Sequence, residues 1–594
     1  MIKVSDYIAK RLKEKYNVKT VFMISGGGAM HLNDSFGKYL PYICNHNEQA
    51  SAIAAEGYAR VNQELAVVNV TTGPGGLNCL NGVFGQWTDS VPVLYISGQV
   101  KSTTTISSCP EINLRQLGDQ EVDIISVVKS LTKYAKMVTE PKEVKYHLDK
   151  AIHEATTGRF GPVWLDIPIN IQAAMIDESK LIEFKEDNKT YQPISSSAYQ
   201  LLIEKLQQAK RPLIIAGHGI TLSKSKDAFL KLVEKLQIPV VTTMNGFDTM
   251  PSDNEFFTGR IGTVANRAGN FALQNADLIL CLGTRNNIRQ VSYNWENFAK
   301  NAYKIVVDID KAELDKPTIK PDLKICADLA LFLPELLKNL SAYKPISPSP
   351  DWLDFCKNLK KKYPTLTEAQ RVVHNPIEPY FFAQELTKCF SEDEVVVSGN
   401  GTAFLAPFQV GIVKKNQRYI WNSGDASMGY DLPAAIGACI ANNNKSTVCL
   451  AGDGSIMMNL QELQTVKHYN LPIKLFVLNN NGYISIQQTQ KNFFEGRMTA
   501  CSVDSGVSIP DFIKIGKAFE IETFKIDSLD NLEQNIKKVL NFNGPILCEV
   551  MLSPDYIFAP KLSAKKLEDG TMVSPSLEDL YPFLSREEIA ENML

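Results

Sequence analysis

Short apolar segments alternate with segments of helical periodicity along almost the whole chain. The apolar segments are rich in β-branched residues, and several end in glycine, as in PLIIAG and STVCLAG. Continuous apolar segments of this kind are typical of parallel strands buried on both faces, with the intervening helices as crossovers. The pattern therefore predicts an α/β protein built from doubly wound parallel sheets. A mixed α+β arrangement is the alternative.

Two polar stretches, at 184–197 and 341–351, carry proline and serine and have the composition of linkers between domains. A chain of 594 residues is also too long for a single hydrophobic core. We therefore predict three α/β domains, at 1–183, 198–340 and 375–560, followed by a polar tail at 561–594. In open parallel sheets ligands bind at the carboxyl ends of the strands, so the loops at those ends are the candidate sites.

Charge and composition narrow the class of protein. The chain has 62 basic and 65 acidic residues, so nothing favours nucleic acid or an anionic membrane surface as a partner. No apolar run approaches the roughly 20 residues that a membrane span needs, and the first residues, MIKVSDYIAKRLKEKYNV, lack the apolar core of a signal peptide. The eleven cysteines include no C-x-x-C pair, which fits a reducing compartment and argues against a structural zinc site. We expect a soluble, cytoplasmic protein.

A Gly-Asp-Gly turn follows the predicted strand VCLAG and precedes a predicted helix. Glycines let the backbone approach a ligand, and a helix N-terminus favours phosphate. The carboxylate of Asp453 would repel a phosphate unless a hard cation such as Mg²⁺ lay between them. The next strand, IKLFVLNN, brings a second turn to the same edge of the sheet, although two ordinary turns are the alternative. The candidate residues are Asp453, Asn480 and the carbonyl of Gly482 for the metal, and Gly452, Gly454 and Ser455 for the phosphates.

The stretch GDGSIMMNLQELQTV, followed by LPIKLFVLNNNGY, resembles the thiamine diphosphate motif of the acetolactate synthase and pyruvate oxidase superfamily. The likeness extends over nearly all of 1–560, with several motifs in the family's order. It implies that Asp453, Asn480 and Gly482 hold Mg²⁺, which binds the cofactor's diphosphate. It also implies that the three domains are a pyrimidine-binding, a central flavin-type and a diphosphate-binding domain.

Further stretches of the chain resemble other cofactor-binding segments of that family. WNSGDASMGYDLPAAIGA is similar to the segment whose backbone carbonyl contacts the aminopyrimidine and whose methionine holds the cofactor bent. SGNGTAF is similar to a loop that reaches the diphosphate, and TTGPGGLN to a glycine-rich turn near the thiazolium. The residues that the resemblance assigns in these stretches are Ala426, Met428, Asn400, Gly401, Pro74 and Asn78.

The stretch HNEQASAIAAEGYARV offers two carboxylates, Glu48 and Glu56, for proton chemistry. A carboxylate tuned to share a proton with a neighbouring base is a common acid–base device. The resemblance assigns the catalytic role to Glu48, and it brings Gln120 of GDQEVD toward the substrate. Asp119 stands where the family's pattern has a phenylalanine, so the resemblance does not decide which substrate the protein uses.

The middle of the chain contains RPLIIAGHGI, a strand followed by G-x-G, which alone is a weak nucleotide signal. The segment resembles the family's flavin-carrying domain, and FAD would then contact Gly217, Gly262, Arg285, Asp308 and Ile309. Family members also hold ADP or no nucleotide here. The family's RFDDR appears as RNNIR, without either acidic residue, so FAD, ADP and an empty domain all stay open.

The resemblance implies decarboxylation of a 2-oxo acid, in the first instance pyruvate, and transfer of the two-carbon unit to a second carbonyl. Simple decarboxylases of the superfamily use a His-His pair and a glutamate after the Asn-Asn strand. This chain has seven histidines without an adjacent pair, and Ile486 at the glutamate position, which favours carboligation over aldehyde release. The alternatives are a decarboxylase or other C–C lyase and a carboligase for a keto sugar. A scaffold without activity and a nucleotide-dependent oxidoreductase are more distant alternatives.

Two expectations concern assembly and the chain's end. In the family the first domain of one subunit meets the last domain of another, which implies a homodimer or homotetramer. The tail, LEDGTMVSPSLEDLYPFLSREEIAENML, loosely resembles the ends of acetolactate-synthase-like proteins of surface-polysaccharide sugar pathways. It either closes over the active site or is a disordered or surface-docked end.

Overall fold

The computed structural model describes residues 1–186, 194–341, 350–371, 375–566 and 569–594. It contains three six-stranded sheets, in which every pair of neighbouring strands is parallel. The predicted class, three doubly wound α/β domains, is therefore confirmed. Residues 187–193 of the first predicted linker and 342–349 of the second lie outside the described residues, and the proposed domain boundaries stay predictions.

The strands of each sheet lie side by side in an order that differs from their order in the chain. The first sheet, from edge to edge, consists of Tyr42–Cys44, Val21–Met23, Ala66–Val70, Val93–Gln99, Val163–Pro168 and Tyr134–Met137. The central sheet consists of Phe257–Arg260, Val240–Thr242, Pro212–Ala216, Leu278–Leu282, Tyr303–Asp308 and Leu323–Cys326. The third sheet consists of Arg418–Ile420, Val395–Ser398, Thr447–Gly452, Ile473–Asn479, Ile546–Met551 and Glu522–Ile526. Two short antiparallel pairs, Ile2–Lys3 with Met175–Ile176 and Lys565–Lys566 with Met572–Val573, complete the strands of the described chain.

Helices connect the strands and cover both faces of each sheet. The first domain has Val4–Glu14, Met30–Tyr39, Glu48–Asn62, Pro74–Asn78, Leu80–Asp89, Ile124–Val128, Val144–Thr156 and Ile169–Gln172. The central domain has Ser196–Gln208, Gly219–Leu222, Lys226–Leu236, Arg267–Asn275, Ile288–Val291, Lys311–Asp315, Leu329–Leu340 and Pro350–Lys362. The third domain and the tail have Pro379–Cys389, Thr402–Val410, Asp431–Ala441, Asp453–Ile456, Leu463–His468, Ile484–Phe493, Phe512–Ala518, Leu532–Leu540 and Arg586–Glu591.

The central strands explain why the apolar segments are continuous rather than alternating. Val93–Gln99 and Ile473–Asn479 are buried at every position. A strand covered by helices on both faces buries both sets of side chains, so neither face can be polar. The functional side chains are consequently left to the loops at the strand ends.

Two helices from different domains cross at very short range. Gly57 lies in the helix Glu48–Asn62 of the first domain, and Gly437 lies in Asp431–Ala441 of the third. A Cβ atom on Gly57 would stand 2.1 Å from the carbonyl oxygen of Ala434, and one on Gly437 would stand 1.7 Å from that of Ala54. Only glycine fits at these positions, because real Cβ contacts are much longer. The crossing fixes the helix that begins at Glu48 against the third domain.

A buried polar network joins all three domains near that crossing. The Arg60 guanidinium bonds to Asp89 at 2.7 Å and to Glu56 at 2.9 Å, and the Tyr430 hydroxyl donates to Glu56 at 3.0 Å. The Asn245 amide of the central domain donates to Asp89 at 3.1 Å. Burial raises the pKa of Glu56 to about 7, against the opposing effect of Arg60. The domains thus share one polar core. Glu56 and Asp89 of the first domain each accept a hydrogen bond from another domain, so separating the domains would remove those buried partners.

The last residues of the chain are docked on the central domain. Arg267 and Asn270 donate to the carbonyls of Leu580 (3.2 Å) and Leu577 (2.9 Å). At the chain's end, Leu594 N donates to the Asn275 side chain at 2.6 Å. These contacts all lie along the helix Arg267–Asn275, so this part of the tail has the docked arrangement. In the residues that the structure describes, no helix combines the length and the apolar character needed to cross a membrane.

Candidate cofactor and metal site

The carboxylate of Asp453 lies at the end of the strand Thr447–Gly452 and is 3% exposed. Its Oδ1 accepts from Gly454 N at 2.6 Å, and its Oδ2 accepts from Asn480 N at 3.0 Å and Gly482 N at 3.1 Å. Burial raises the pKa of this carboxyl to about 6, although the backbone N–H groups oppose the shift. The loop after the next strand therefore wraps around Asp453, as the two predicted turns require.

Asn480 and Gly482 reach this carboxylate because their strand, Ile473–Asn479, pairs in parallel with Thr447–Gly452. Asn480 is 4% exposed and its Nδ2 donates to Thr402 Oγ1 at 3.0 Å. Gly482 has φ +131°, and a Cβ there would stand 2.8 Å from the Cys501 carbonyl, so the turn requires glycine. The structure brings all three predicted metal residues together.

The donor set fits Mg²⁺. It offers one carboxylate, one amide oxygen and one backbone carbonyl, all of them hard oxygen donors that leave positions for phosphate oxygens. Within the described residues, Asp453 accepts from backbone N–H groups and has no cationic partner, and its burial without a counter-charge raises its pKa. A bound cation would supply the missing charge and restore the ionised form.

Gly401 borders the space where a diphosphate would lie. Its φ is +60°, and no heavy atom lies within 4 Å of the point where a Cβ would stand. It directly precedes the helix Thr402–Val410, whose N-terminal N–H groups suit an anion. Gly452 also lacks close neighbours at the Cβ position, whereas a Cβ on Gly454 would meet the Tyr483 ring at 2.1 Å. Gly401 and Gly452 thus open the site, and Gly454 is needed for packing.

The loop with Ala426 and Met428 is tied to both phosphate loops. The Asn400 amide donates to the carbonyl of Ala426, and Gly429 N donates to Ser455 Oγ at 2.9 Å. Ala426 has φ +59°, a conformation that costs a non-glycine residue energy and clusters at functional sites. The Ala426 carbonyl, predicted to contact the aminopyrimidine, thus already has a side-chain partner in Asn400.

On the first domain, Glu48 and Asn78 are in direct contact. Glu48 is the first residue of the helix Glu48–Asn62, and Asn47 caps that helix by accepting from Gln49 N at 2.8 Å. The Asn78 amide donates to Glu48 Oε2 at 2.9 Å. Glu48 is half-buried, and among the described residues Asn78 bonds to only one of its two carboxylate oxygens.

The glycine-rich turn also meets the loop with Gln120. A Cβ on Gly73, whose φ is +62°, would stand 2.0 Å from the Gln120 carbonyl. Gln120 has φ +61° and its side chain is exposed, as is that of Asp119. Pro74 begins the short helix Pro74–Asn78 directly after this turn. Gln120, Pro74, Asn78 and Glu48 therefore lie at the same edge of the first sheet.

A separate cavity opens between the first and central domains. Arg285, Asp308 and Ile309, three of the five predicted nucleotide residues, line it, and so does Arg159 of the first domain. Burial raises the pKa of Asp308 to about 6. Arg159 forms ion pairs with Asp310 at 3.0 Å and with a second carboxylate at 2.7 Å. The cavity therefore carries both basic and acidic side chains.

The other two predicted nucleotide residues, Gly217 and Gly262, are not among the residues that line this cavity. A Cβ on Gly217 would stand 2.2 Å from the Gly283 carbonyl, so this glycine permits close backbone packing. Gly262 has φ +131°. Sequence reasoning missed Arg159 and also Thr402, although Thr402 lies within SGNGTAF, a stretch that resembles the family.

Three family models match the chain in the order of its three domains. They are the thiamine pyrophosphate enzyme N-terminal binding domain at 2–126, the central domain at 199–336 and the C-terminal binding domain at 399–550. The fold and the site thus define a thiamine pyrophosphate enzyme.

Curated relatives refine that class. The chain is 32% identical over 567 residues to the acetolactate synthase large subunit of Lactococcus lactis subsp. lactis, covering 94% of both chains. It is 31% identical to the acetolactate synthase isozyme 2 large subunit of Escherichia coli K12, covering 90% of this chain and 93% of the relative. A probable acetolactate synthase large subunit of Methanocaldococcus jannaschii is 30% identical, with 93% and 92% covered. The chain belongs to the acetolactate synthase large-subunit family of thiamine diphosphate-dependent enzymes.

Proposed function

We propose that this enzyme is a Mg²⁺- and thiamine diphosphate-dependent carboligase, a transferase that decarboxylates pyruvate and passes the two-carbon unit to a second carbonyl. The observation that carries the proposal is the buried Asp453 carboxylate, enclosed by the backbone of Asn480 and Gly482. The names of the relatives support the reaction class.

In this proposal the third domain holds the charged end of the cofactor. Asp453, Asn480 and the Gly482 carbonyl bind Mg²⁺, and the open space beside Gly401 accepts the diphosphate. Thiamine diphosphate, when bound, supplies the electron sink that lets a 2-oxo acid lose CO₂. The protein's contribution is to fix the position of that group and to neutralise its charge.

The first domain manages the proton. Glu48 holds a proton at its carboxyl group against a ring nitrogen of the pyrimidine, and Asn78 orients it through the 2.9 Å bond to Oε2. A hydrogen bond to only one oxygen leaves the other for the proton. Gln120, exposed beside this edge, is the side chain we assign to substrate contact.

Ile486 supports carboligation over aldehyde release. It lies in the helix Ile484–Phe493 directly after the metal loop and is 46% exposed. Its side chain cannot deliver a proton, so this position offers no acid to complete an aldehyde.

Product analysis tests the proposed reaction. Incubation of the full-length protein with pyruvate, thiamine diphosphate and Mg²⁺ should release CO₂ and form acetolactate, or a mixed product when a keto sugar is supplied. The control is the variant Asp453→Asn, which should release neither. Acetaldehyde as the main product, whatever acceptor is present, would instead favour the decarboxylase.

We also propose that the active unit is a homodimer or a homotetramer. Large apolar side chains flank both cofactor-binding edges, and each is about 40–50% exposed in the single chain: Leu77, Phe84, Trp87, Met457 and Met458. Such surface is typical of an interface between subunits. Sedimentation analysis should give at least twice the mass of one chain, and a monomer that retains full activity would exclude the proposal.

We propose further that the central cavity binds an adenine nucleotide, FAD or ADP. Asp308, at the end of its strand, suits a ribose hydroxyl, and Arg159 and Arg285 suit a diphosphate. Absorbance near the flavin band and chromatography of the released nucleotide will distinguish the two from an empty domain.

A cytoplasmic location is consistent with eleven cysteines that are all free thiols.

A further inference from the structure

Two hydroxyl groups hold the amide of Asn480 in one orientation. Asn480 Nδ2 donates to Thr402 Oγ1 at 3.0 Å, and Thr402 Oγ1 is hydrogen-bonded to the hydroxyl of Tyr556. The three side chains are all buried, with 4%, 7% and 7% of their surface exposed. Because the nitrogen and oxygen of an amide point in different directions, the bond to Thr402 turns Oδ1 away from this pair of hydroxyls.

The Tyr556 hydroxyl is itself held in place by the backbone that carries it. Gln488, in the helix that follows the metal loop, donates to the Tyr556 carbonyl at 2.9 Å. Gln409 donates to the Pro560 carbonyl at 2.6 Å, and the Tyr380 hydroxyl accepts from the N–H just before Pro560 at 3.2 Å. The segment 556–560 is thus fixed from two sides, so the position of its tyrosine is well determined.

We propose that Tyr556 and Thr402 are positioning residues for the metal. They fix the Asn480 amide so that its oxygen, and not its nitrogen, is presented to the cation. The inference rests on the proposed Mg²⁺ site of Asp453, Asn480 and Gly482. Neither hydroxyl is assigned a contact with the metal or the substrate.

The expected effect follows from how a metal ligand depends on its supporting hydrogen bond. Loss of such an outer partner typically weakens metal affinity by roughly 10–100-fold. Tyr556 acts through Thr402, one bond further from the metal, so we expect the lower end, a weakening of about tenfold. Thr402→Val removes the direct partner of Asn480 and should weaken binding by at least as much.

The test measures Mn²⁺ binding rather than turnover. Mn²⁺ is titrated into the full-length protein with saturating thiamine diphosphate, and free Mn²⁺ is read from its electron paramagnetic resonance signal. Tyr556→Phe should raise the dissociation constant about tenfold. The matched control is Tyr419→Phe, which removes a hydroxyl of similar burial in the same domain, whose bond goes to the Ile412 carbonyl at 3.5 Å and not to the segment that carries Tyr556. This control should bind Mn²⁺ as the wild type does.

A second pair of variants separates positioning from folding. Thr402→Ser keeps the hydroxyl and should retain the wild-type dissociation constant, whereas Thr402→Val should not; the pair decides the question if Tyr556→Phe does not fold. Equal affinities for Tyr556→Phe and Tyr419→Phe, or for the two Thr402 variants, would overturn the positioning role. A wild-type protein that binds no Mn²⁺, or an Asp453→Asn variant that binds it equally well, would overturn the metal site itself, and with it this inference.

Discussion

The crossing of the helices Glu48–Asn62 and Asp431–Ala441 allows a test that does not depend on catalysis. The perturbation is Gly437→Ala. The new Cβ would stand 1.7 Å from the Ala54 carbonyl oxygen and 2.6 Å from its carbon, and neither backbone atom can move without its helix. An ordinary contact between a Cβ atom and an oxygen is about twice this 1.7 Å distance. The two helices must therefore separate by more than 1 Å.

The expected change in the free energy of unfolding is the difference between two opposing effects. Alanine is better than glycine inside a helix by about 1 kcal/mol. Overpacking a filled interior costs about 1–3 kcal/mol, and contact with a rigid backbone points to the upper end. We therefore expect Gly437→Ala to destabilise the protein by about 2 kcal/mol, which corresponds to several degrees in the unfolding midpoint.

The assay is thermal unfolding of the variant and the wild type at one scan rate, because a chain of several domains does not unfold in a single reversible step. Gly37→Ala is the matched control: Gly37 lies on the exposed face of the helix Met30–Tyr39, and its Cβ would meet nothing nearer than 3.8 Å. The control should raise the midpoint slightly, through helix propensity alone. If Gly437→Ala is as stable as the control, the close crossing is wrong.

Three further predictions concern proton chemistry, pH and the tail. Glu48→Gln should leave thiamine diphosphate binding unchanged, measured by fluorescence quenching, and slow carboligation by roughly 10²–10⁴-fold, the usual contribution of a general base. Burial raises the pKa of Asp166 from 3.8 to about 7, so between these values the folded chain keeps a proton that the unfolded chain loses. Asp166 should therefore contribute a fall in stability of up to about 1.4 kcal/mol per pH unit as pH rises through that window, and the slope of Asp166→Asn should be smaller than that of the wild type by this contribution in midpoints measured from pH 4.5 to 8. Deleting the chain from Leu577 onward should lower the unfolding midpoint, since Asn270 and Asn275 are buried and would each lose a hydrogen-bond partner in the tail. Unchanged exchange of the cofactor's reactive proton in Glu48→Gln would count against the role of Glu48. An unchanged pH slope in Asp166→Asn would count against the raised pKa of Asp166, and an unchanged midpoint in the truncated chain would count against the docking of the tail.

The fold could be predicted because its strongest constraint is local. Buried parallel strands such as Val93–Gln99 must be apolar throughout, and such runs are visible in the sequence. The contact between Asp453 and the Asn480 turn was also predictable, because adjacent parallel strands end at one edge. The approach of Asn78 to Glu48 agrees with the assignments made from two separate motifs.

Other parts of the site could not be predicted from the sequence. Tyr556 meets Thr402 across 154 positions, and it lies in a segment without periodicity, so its place depends on the path of the whole domain. Gly217 illustrates a second limit. A glycine before a turn signals close approach, but the sequence does not tell whether a ligand or another strand end, here Gly283, is the neighbour.

The docking of the chain's end has a consequence for how the protein is made. Asn275 receives its bond from Leu594, which is translated 319 residues later. At a synthesis rate of about 5–20 residues per second, the helix Arg267–Asn275 leaves the ribosome roughly 15–60 seconds before its partner exists. The second domain to be translated is therefore the last to be finished. A nascent chain that has not yet reached Leu577 displays Asn270 and Asn275 without the partners that the tail supplies, and the helix that carries them stays uncovered on that side.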